Sequence, residues 1–137
     1  MIRRIFLLNC LAAATALAGV SQLAEAGELK IDPCVAACQS CESACSACVT
    51  ACLEELESGK TDRVECIRLC QDCADICGVC AKVMSRNGPL KSVIATACAE
   101  ACNECSAACA KHANDPVCQA CAEKCRACAN MCKAHRE

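Results

Sequence analysis

The sequence predicts an all-α protein, an antiparallel up-down-up-down four-helix bundle with a cysteine-lined core. Three observations carry that expectation. Twenty of the 21 cysteines fall into four clusters in which steps of three and four residues alternate, the spacing that puts side chains on one face of a helix. Pro, Gly and Asp punctuate the chain between the clusters. The connections they leave are short, so successive helices should be antiparallel neighbours.

Residues 1–26 read as an export signal ahead of one domain spanning 27–137. Arg3 and Arg4 precede an apolar stretch from Ile5 to Val20, and Ala24-Glu25-Ala26 has the small-x-small form of a cleavage site. That stretch is shorter than the ~20 residues a membrane span needs, so a mature form without a membrane segment is expected. The arginine pair is twin-arginine-like, which points to export of folded cargo to a bacterial periplasm. Cys10 lies inside this leader, apart from the four clusters.

The first helix is expected over 33–57, with Asp32 as N-cap, Pro33 in its first turn and Ser58-Gly59 as its stop. It carries Cys34, Cys38, Cys41, Cys45, Cys48 and Cys52. A second, over 62–86, would be capped by Thr61 or Asp62, stop at Asn87-Gly88, and carry Cys66, Cys70, Cys73, Cys77 and Cys80. Pro89 restarts the chain into a third helix over 89–113 with Cys98, Cys102, Cys105 and Cys109. The fourth, over 116–135, repeats the Asp-Pro device at Asp115-Pro116 and holds Cys118, Cys121, Cys125, Cys128 and Cys132. Alanines between the cysteines favour helix and allow close approach. Glu42, Arg68, Asp72, Asp75, Glu100, Glu104, Lys124 and Arg126 fall off the stripes, as a solvated face should. The recurring C-x-x-x-C-x-x-C unit would also suit a solenoid, but four one-faced helices close more simply into a bundle.

A formal net charge of −2 offers no basic surface for nucleic acid. There is no Trp or Tyr, and the one Phe, Phe6, lies in the leader. A thiol buries far less apolar area than Leu or Phe, so something besides apolar burial should help hold the bundle.

Three uses of the thiols compete: disulfide scaffold, redox enzyme and metal store. A short, exported, cysteine-rich chain is normally disulfide-stapled. Against this, Cβ atoms at i and i+4 stand ~5–6 Å apart, whereas a disulfide wants ~3.5–4.5 Å. A thioredoxin-like enzyme uses a C-x-x-C at a helix N-terminus within a βαβ unit, and here the motif recurs inside helices with no strand pattern. No catalytic residue is therefore assigned and no enzyme is expected.

Metal binding suits the spacing better. The i, i+4 pairs Cys34/Cys38, Cys41/Cys45, Cys48/Cys52, Cys66/Cys70, Cys73/Cys77, Cys98/Cys102, Cys105/Cys109, Cys121/Cys125 and Cys128/Cys132 can each offer two sulfurs to one ion, with Cys80 and Cys118 left to bridge between helices. Zinc wants four ligands, whereas soft thiolates select Cu(I), which accepts few. Ionising many thiols in one narrow core is prohibitive unless cations enter as protons leave, and each Cu(I) replaces roughly one proton. Storage of many Cu(I) ions is the function expected, and a disulfide-stapled or thiol-redox exported helical protein is the alternative.

The repeats Cys38-Gln39-Ser40-Cys41-Glu42-Ser43-Ala44-Cys45 and Cys70-Gln71-Asp72-Cys73-Ala74-Asp75-Ile76-Cys77, on Ala-rich helices, resemble the four-helix-bundle copper storage proteins. The resemblance covers nearly all of the chain after residue 26. It implies that the twenty clustered cysteines are Cu(I) ligands, that the protein forms a homo-oligomer, a tetramer, and that copper donor or recipient proteins serve it.

Continuing the heptads past the last cysteines puts Met84, His112 and His135 on the inward face, where a thioether or imidazole could bind Cu(I) more weakly and pass it inward. Met131 falls off the stripe and is expected to pack. In an up-down bundle His112 shares an end with Cys52, Cys66 and Cys118, while His135 and Met84 share the other with Cys34, Cys98 and Cys132. Ile31, Leu90 and Ile94 should plug that second end, so copper is expected to pass beside His112.

Overall fold

Alternating steps of three and four residues wind each cysteine cluster onto one helical stripe, and a computed structural model describing residues 30–136 shows the four helices this requires. They are α1 (Pro33–Glu57), α2 (Val64–Ser85), α3 (Lys91–Ala110) and α4 (Pro116–Lys133), with a 3-10 turn at Thr61–Arg63. The proposed leader and Cys10 lie outside the described residues. No helix among the described residues is long and apolar enough to cross a membrane.

The Asp-Pro starts form as their chemistry dictates. Asp32 accepts the N–H of Cys34 at 2.7 Å, and Asp115 accepts those of Val117 at 2.9 Å and Cys118 at 3.3 Å. Two helix ends close with the same paired hydrogen bonds. After α1, Gly59 N–H reaches Leu56 O and Lys60 N–H reaches Glu55 O, with Gly59 at φ +96°. After α2, Asn87 N–H reaches Met84 O and Gly88 N–H reaches Val83 O, with Asn87 in the left-handed position at φ +49°.

Four boundaries differ from expectation. Neither Thr61 nor Asp62 caps α2: both sit in the 3-10 turn, and Arg63 occupies the N-cap position without a side-chain cap. The third helix starts at Lys91 because Pro89 and Leu90 complete a turn first, and it ends at Ala110, where a chain of turns leads to Asp115. The fourth stops at Lys133, leaving His135 beyond its last turn.

Sulfur contacts fix the topology. Cys34 meets Cys132, Cys48 meets Cys66, and Cys77 meets Cys98, so each sequential neighbour runs antiparallel and α4 returns beside α1. The backbones of α1 and α3, and of α2 and α4, lie across the diagonals and do not approach one another. Their sulfurs nevertheless meet, Cys41 with Cys102 at 3.8 Å and Cys70 with Cys121 at 3.9 Å. The middle of the bundle is therefore a column of sulfur. All twenty clustered cysteines are at most 1% exposed, joined by Ala95, Ala99, Ala122 and Ala129, while the eight charges that fall off the stripes are exposed.

Two expectations about apolar residues fail. Ile31 and Leu90 are 58% and 61% exposed, so only Ile94 of the expected plug packs against the core. A residue preceding a helix N-cap and one closing a loop project past the rim of the bundle. Met131 is likewise exposed rather than packed, as its position off the stripe requires.

Candidate metal centre

Every cysteine in the column is a free thiol. Within helices, the sulfurs of Cys41/Cys45, Cys121/Cys125 and Cys128/Cys132 are 4.0 Å apart and those of Cys48/Cys52 and Cys66/Cys70 are 3.9 Å apart. Between helices they come closer. Cys66 and Cys70 lie 3.5 Å from Cys109 and Cys105, and Cys34 and Cys77 lie 3.6 Å from Cys132 and Cys102. The sequence spacing showed these five pairs on α1, α2 and α4, while the sulfurs of the expected pairs Cys34/Cys38, Cys73/Cys77, Cys98/Cys102 and Cys105/Cys109 make no such contact. It did not show the shorter partners between helices, which depend on how the helices are rotated against one another.

The sulfurs also gather in overlapping fours. Cys34, Cys38, Cys80 and Cys132 form one group, and Cys45, Cys105, Cys121 and Cys125 another, with all sulfurs of a group within 4.8 Å of one another. Cys41 belongs to two such groups, one with Cys45, Cys73 and Cys125 and one with Cys77, Cys102 and Cys128. With metal–sulfur bonds of ~2.3 Å, two sulfurs on one metal stand ~4.6 Å apart in a linear arrangement and ~4.0 Å apart in a trigonal one. The column is thus close to three-coordinate spacing as it stands, and must widen by about 0.6–1.1 Å to become two-coordinate. Because adjacent groups share sulfurs, metals bound here would be bridged into clusters.

Burial keeps three thiols near the ends, Cys34, Cys52 and Cys118, protonated. Desolvation first, and then the sulfurs of Cys132 and Cys38, push the Cys34 thiol well above its ordinary value. Burial does the same to Cys52 and Cys118, with Cys66 adding to both and Cys52 raising Cys118 further. Binding a soft cation removes that penalty by replacing the proton.

The two ends differ. Cys118 packs against Cys48 at 3.7 Å and Cys52 at 3.8 Å, and Arg63 Nη1 donates to its sulfur at 3.4 Å. Arg63 is 8% exposed and also reaches Asp115 Oδ2 at 3.3 Å and Glu55 Oε2 at 3.6 Å. Its charge, favoured by Cys118 and Asp115 against the cost of burial, is held more firmly than in water. Against its own burial, the Asp115 carboxyl is held below its usual range by the N–H groups of Cys118 and Val117 and then by Arg63. The His112 side chain is 10% exposed, with Nδ1 3.7 Å from Asp62 Oδ2, and borders an open depression of about 560 Å³ that Asp62, Arg63 and Asp115 also line.

At the opposite end Met84 is buried in the core beyond Cys80, whereas His135 is partly exposed with Nε2 3.9 Å from Asp32 Oδ1. Sequence reasoning missed Arg63. An arginine beside a helix start reads as surface charge, and only the meeting of three helix ends buries it.

Comparisons with known proteins converge on one family. The family described as copper storage protein matches residues 28–137. The solved apo form of copper storage protein 3 from Bacillus subtilis is 39% identical, with 77% of this chain and 97% of that one covered at a TM-score of 0.68. A cytosolic copper storage protein from Streptomyces lividans, solved with five coppers, is 37% identical over 77% of this chain and 91% of its own, at a TM-score of 0.71. The same organism's protein loaded with ten copper equivalents is 38% identical over 75% and 80%, at 0.70. No curated protein matches.

The expectation of export to a periplasm is corrected here, because the Streptomyces lividans protein is described as cytosolic. There is a physical reason to expect this. Closely spaced thiols persist in a reducing compartment, whereas an oxidising one would drive them toward disulfides.

Proposed function

The chain belongs to the copper storage protein family, and we propose from that premise how this sequence carries out storage. It stores Cu(I), many ions to a chain, inside the bundle. The ligands are the twenty cysteines from Cys34 to Cys132, within one domain over 27–137. The observation that carries this reading is the continuity of the column: sulfurs 3.5–4.0 Å apart link one end to the other through shared groups of four. A chaperone needs one exposed pair, and a redox enzyme needs a thiol its substrate can touch. Here all twenty are sealed, which supports storage without catalysis.

Copper passes beside His112. Its imidazole borders the depression at the end of the bundle that holds Cys52, Cys66 and Cys118, and can hold a soft cation before it moves to thiolate. Met84 serves as a weak inner ligand near Cys80. The protein acts as a homo-oligomer, a reading supported by Val79 and Val93, which a lone bundle leaves 48% and 64% exposed.

Anaerobic titration of the reduced protein with Cu(I) tests the reading. A capacity of many coppers per chain, with far fewer zinc ions taken up, is expected. One or two coppers would defeat storage. His112→Ala should slow uptake with little loss of capacity, and His135→Ala should not. The reverse result would place the route at the other end.

A further inference from the structure

At the end where copper is read to pass, a cation already stands on the outermost sulfur of α4. Arg63 Nη1–H donates to Cys118 Sγ at 3.4 Å, so the guanidinium and an arriving Cu(I) seek the same lone pair. Both are positive, and they repel. Cys118 and Cys52 are 0% exposed and Cys66 1%, so nothing reaches these sulfurs until part of this end moves.

Three features make Arg63 the part that moves. Its Nε is buried without a hydrogen-bond partner, an uncompensated donor that a rotated side chain could satisfy. Carboxylates surround it: Asp115 Oδ2 lies 3.3 Å from Nη1, Glu55 Oε2 3.6 Å from Nη2, and Asp62 Oδ1 4.0 Å from Nε. The guanidinium can therefore leave the sulfur while keeping an anionic partner. Finally, the short link before its 3-10 turn contains Gly59 at φ +96°, with nothing within 4 Å of where a Cβ would stand, so the chain leading into Arg63 is unpacked at that point.

We propose that Arg63 is a latch on the Cys118 sulfur, which must swing from that sulfur toward the surrounding carboxylates before copper is taken up at this end. The inference rests on the reading of the His112 end as the route. With the latch open, Cu(I) bonds to Cys118 Sγ and the thiol proton leaves to solvent. No oxidant or reductant is involved. The latch governs the rate of uptake, and capacity stays with the cysteines.

Stopped-flow kinetics on the reduced full chain test it, with Cu(I) supplied as its acetonitrile complex and withdrawn by a coloured Cu(I) chelator. Arg63→Met should speed uptake by about tenfold or more, the kinetic equivalent of one hydrogen bond to a charged group, and change removal little, because copper on Cys118 has already displaced the guanidinium. Copper per chain should not change. Arg63→Lys, which keeps the charge, should restore most of the slowness, which a loosened helix end would not. Arg63→Gln provides a second neutral variant should the Met form fold poorly. Faster removal alone would indicate a weakened site and overturn the latch. Unchanged uptake in both neutral variants, with His112→Ala slow, would overturn the latch and leave the route standing. Unchanged rates in the Arg63 and His112 variants alike would remove the route and the latch with it.

Discussion

Replacing Asp115 with Ala removes three partners at once. Oδ1 caps α4 through the N–H groups of Val117 and Cys118, and Oδ2 lies 3.3 Å from Arg63. Loss of such a cap costs ~1 kcal/mol. Arg63 is then left with more distant carboxylates, Glu55 at 3.6 Å and Asp62 at 4.0 Å, and a buried donor short of its partner costs a further ~1–3 kcal/mol. The total is ~2–4 kcal/mol. Asp32 supplies the contrast, because it caps Cys34 at 2.7 Å but touches no buried cation, so Asp32→Ala should lose only ~1 kcal/mol. At ~4–8 °C per kcal/mol, Asp115→Ala should melt roughly 10–30 °C below the parent and Asp32→Ala ~4–8 °C below. Asp115→Asn keeps a cap but no charge and should fall between. The assay is thermal unfolding of reduced, metal-free protein at neutral pH, followed by far-UV circular dichroism. The Asp115 carboxyl is held below its usual range, so its contribution is complete above the ordinary carboxylate value and lost as pH falls through the lowered one. The gap between parent and Asp115→Ala should close there. Equal losses for the Asp32 and Asp115 alanine variants at neutral pH would refute the reasoning.

Further predictions concern the column and its connections. Cys41 Sγ lies 3.6–4.0 Å from Cys125, Cys102, Cys73 and Cys45, whereas Cys34 Sγ has Cys132 at 3.6 Å, so Cys41→Ala should lose more copper per chain than Cys34→Ala. Native mass spectrometry after loading counts the difference, and equal losses would deny that sulfurs are shared. Raised thiol values at Cys34, Cys52 and Cys118 mean that these groups enter the reaction protonated. Loading should release roughly one proton per Cu(I) and weaken as pH falls, which an indicator dye in weak buffer will show. Gly59→Val should cost ~1–2 kcal/mol through its φ of +96° alone, since nothing crowds the site, and should leave copper capacity unchanged.

The bundle was legible because its determinants are local. Alternating cysteine steps are a helical period whatever the side chain, and Asp32-Pro33 and Asp115-Pro116 carry their own capping chemistry. Legibility failed where an outcome depends on two elements meeting. Thr61 and Asp62 resemble caps, yet the chain leaves Gly59 at a positive φ and takes a 3-10 turn before α2. Ile31 and Leu90 are apolar, but they stand beyond the rim and have nothing to pack on. Five of the i, i+4 cysteine pairs could be read from spacing, whereas the shorter sulfur contacts across helices required knowledge of helix rotation. Arg63 gave no signal at all, because its burial is made by the ends of three helices and the charge of Asp115.

Anomalous scattering at the copper edge, from crystals of the reduced protein loaded anaerobically with Cu(I), tests the central claim most directly. Copper peaks should run along the bundle axis between the sulfurs of all four helices, each bonded to two or three cysteine sulfurs. Peaks confined to surface carboxylates and histidines, with the core sulfurs unliganded or joined as disulfides, would contradict it.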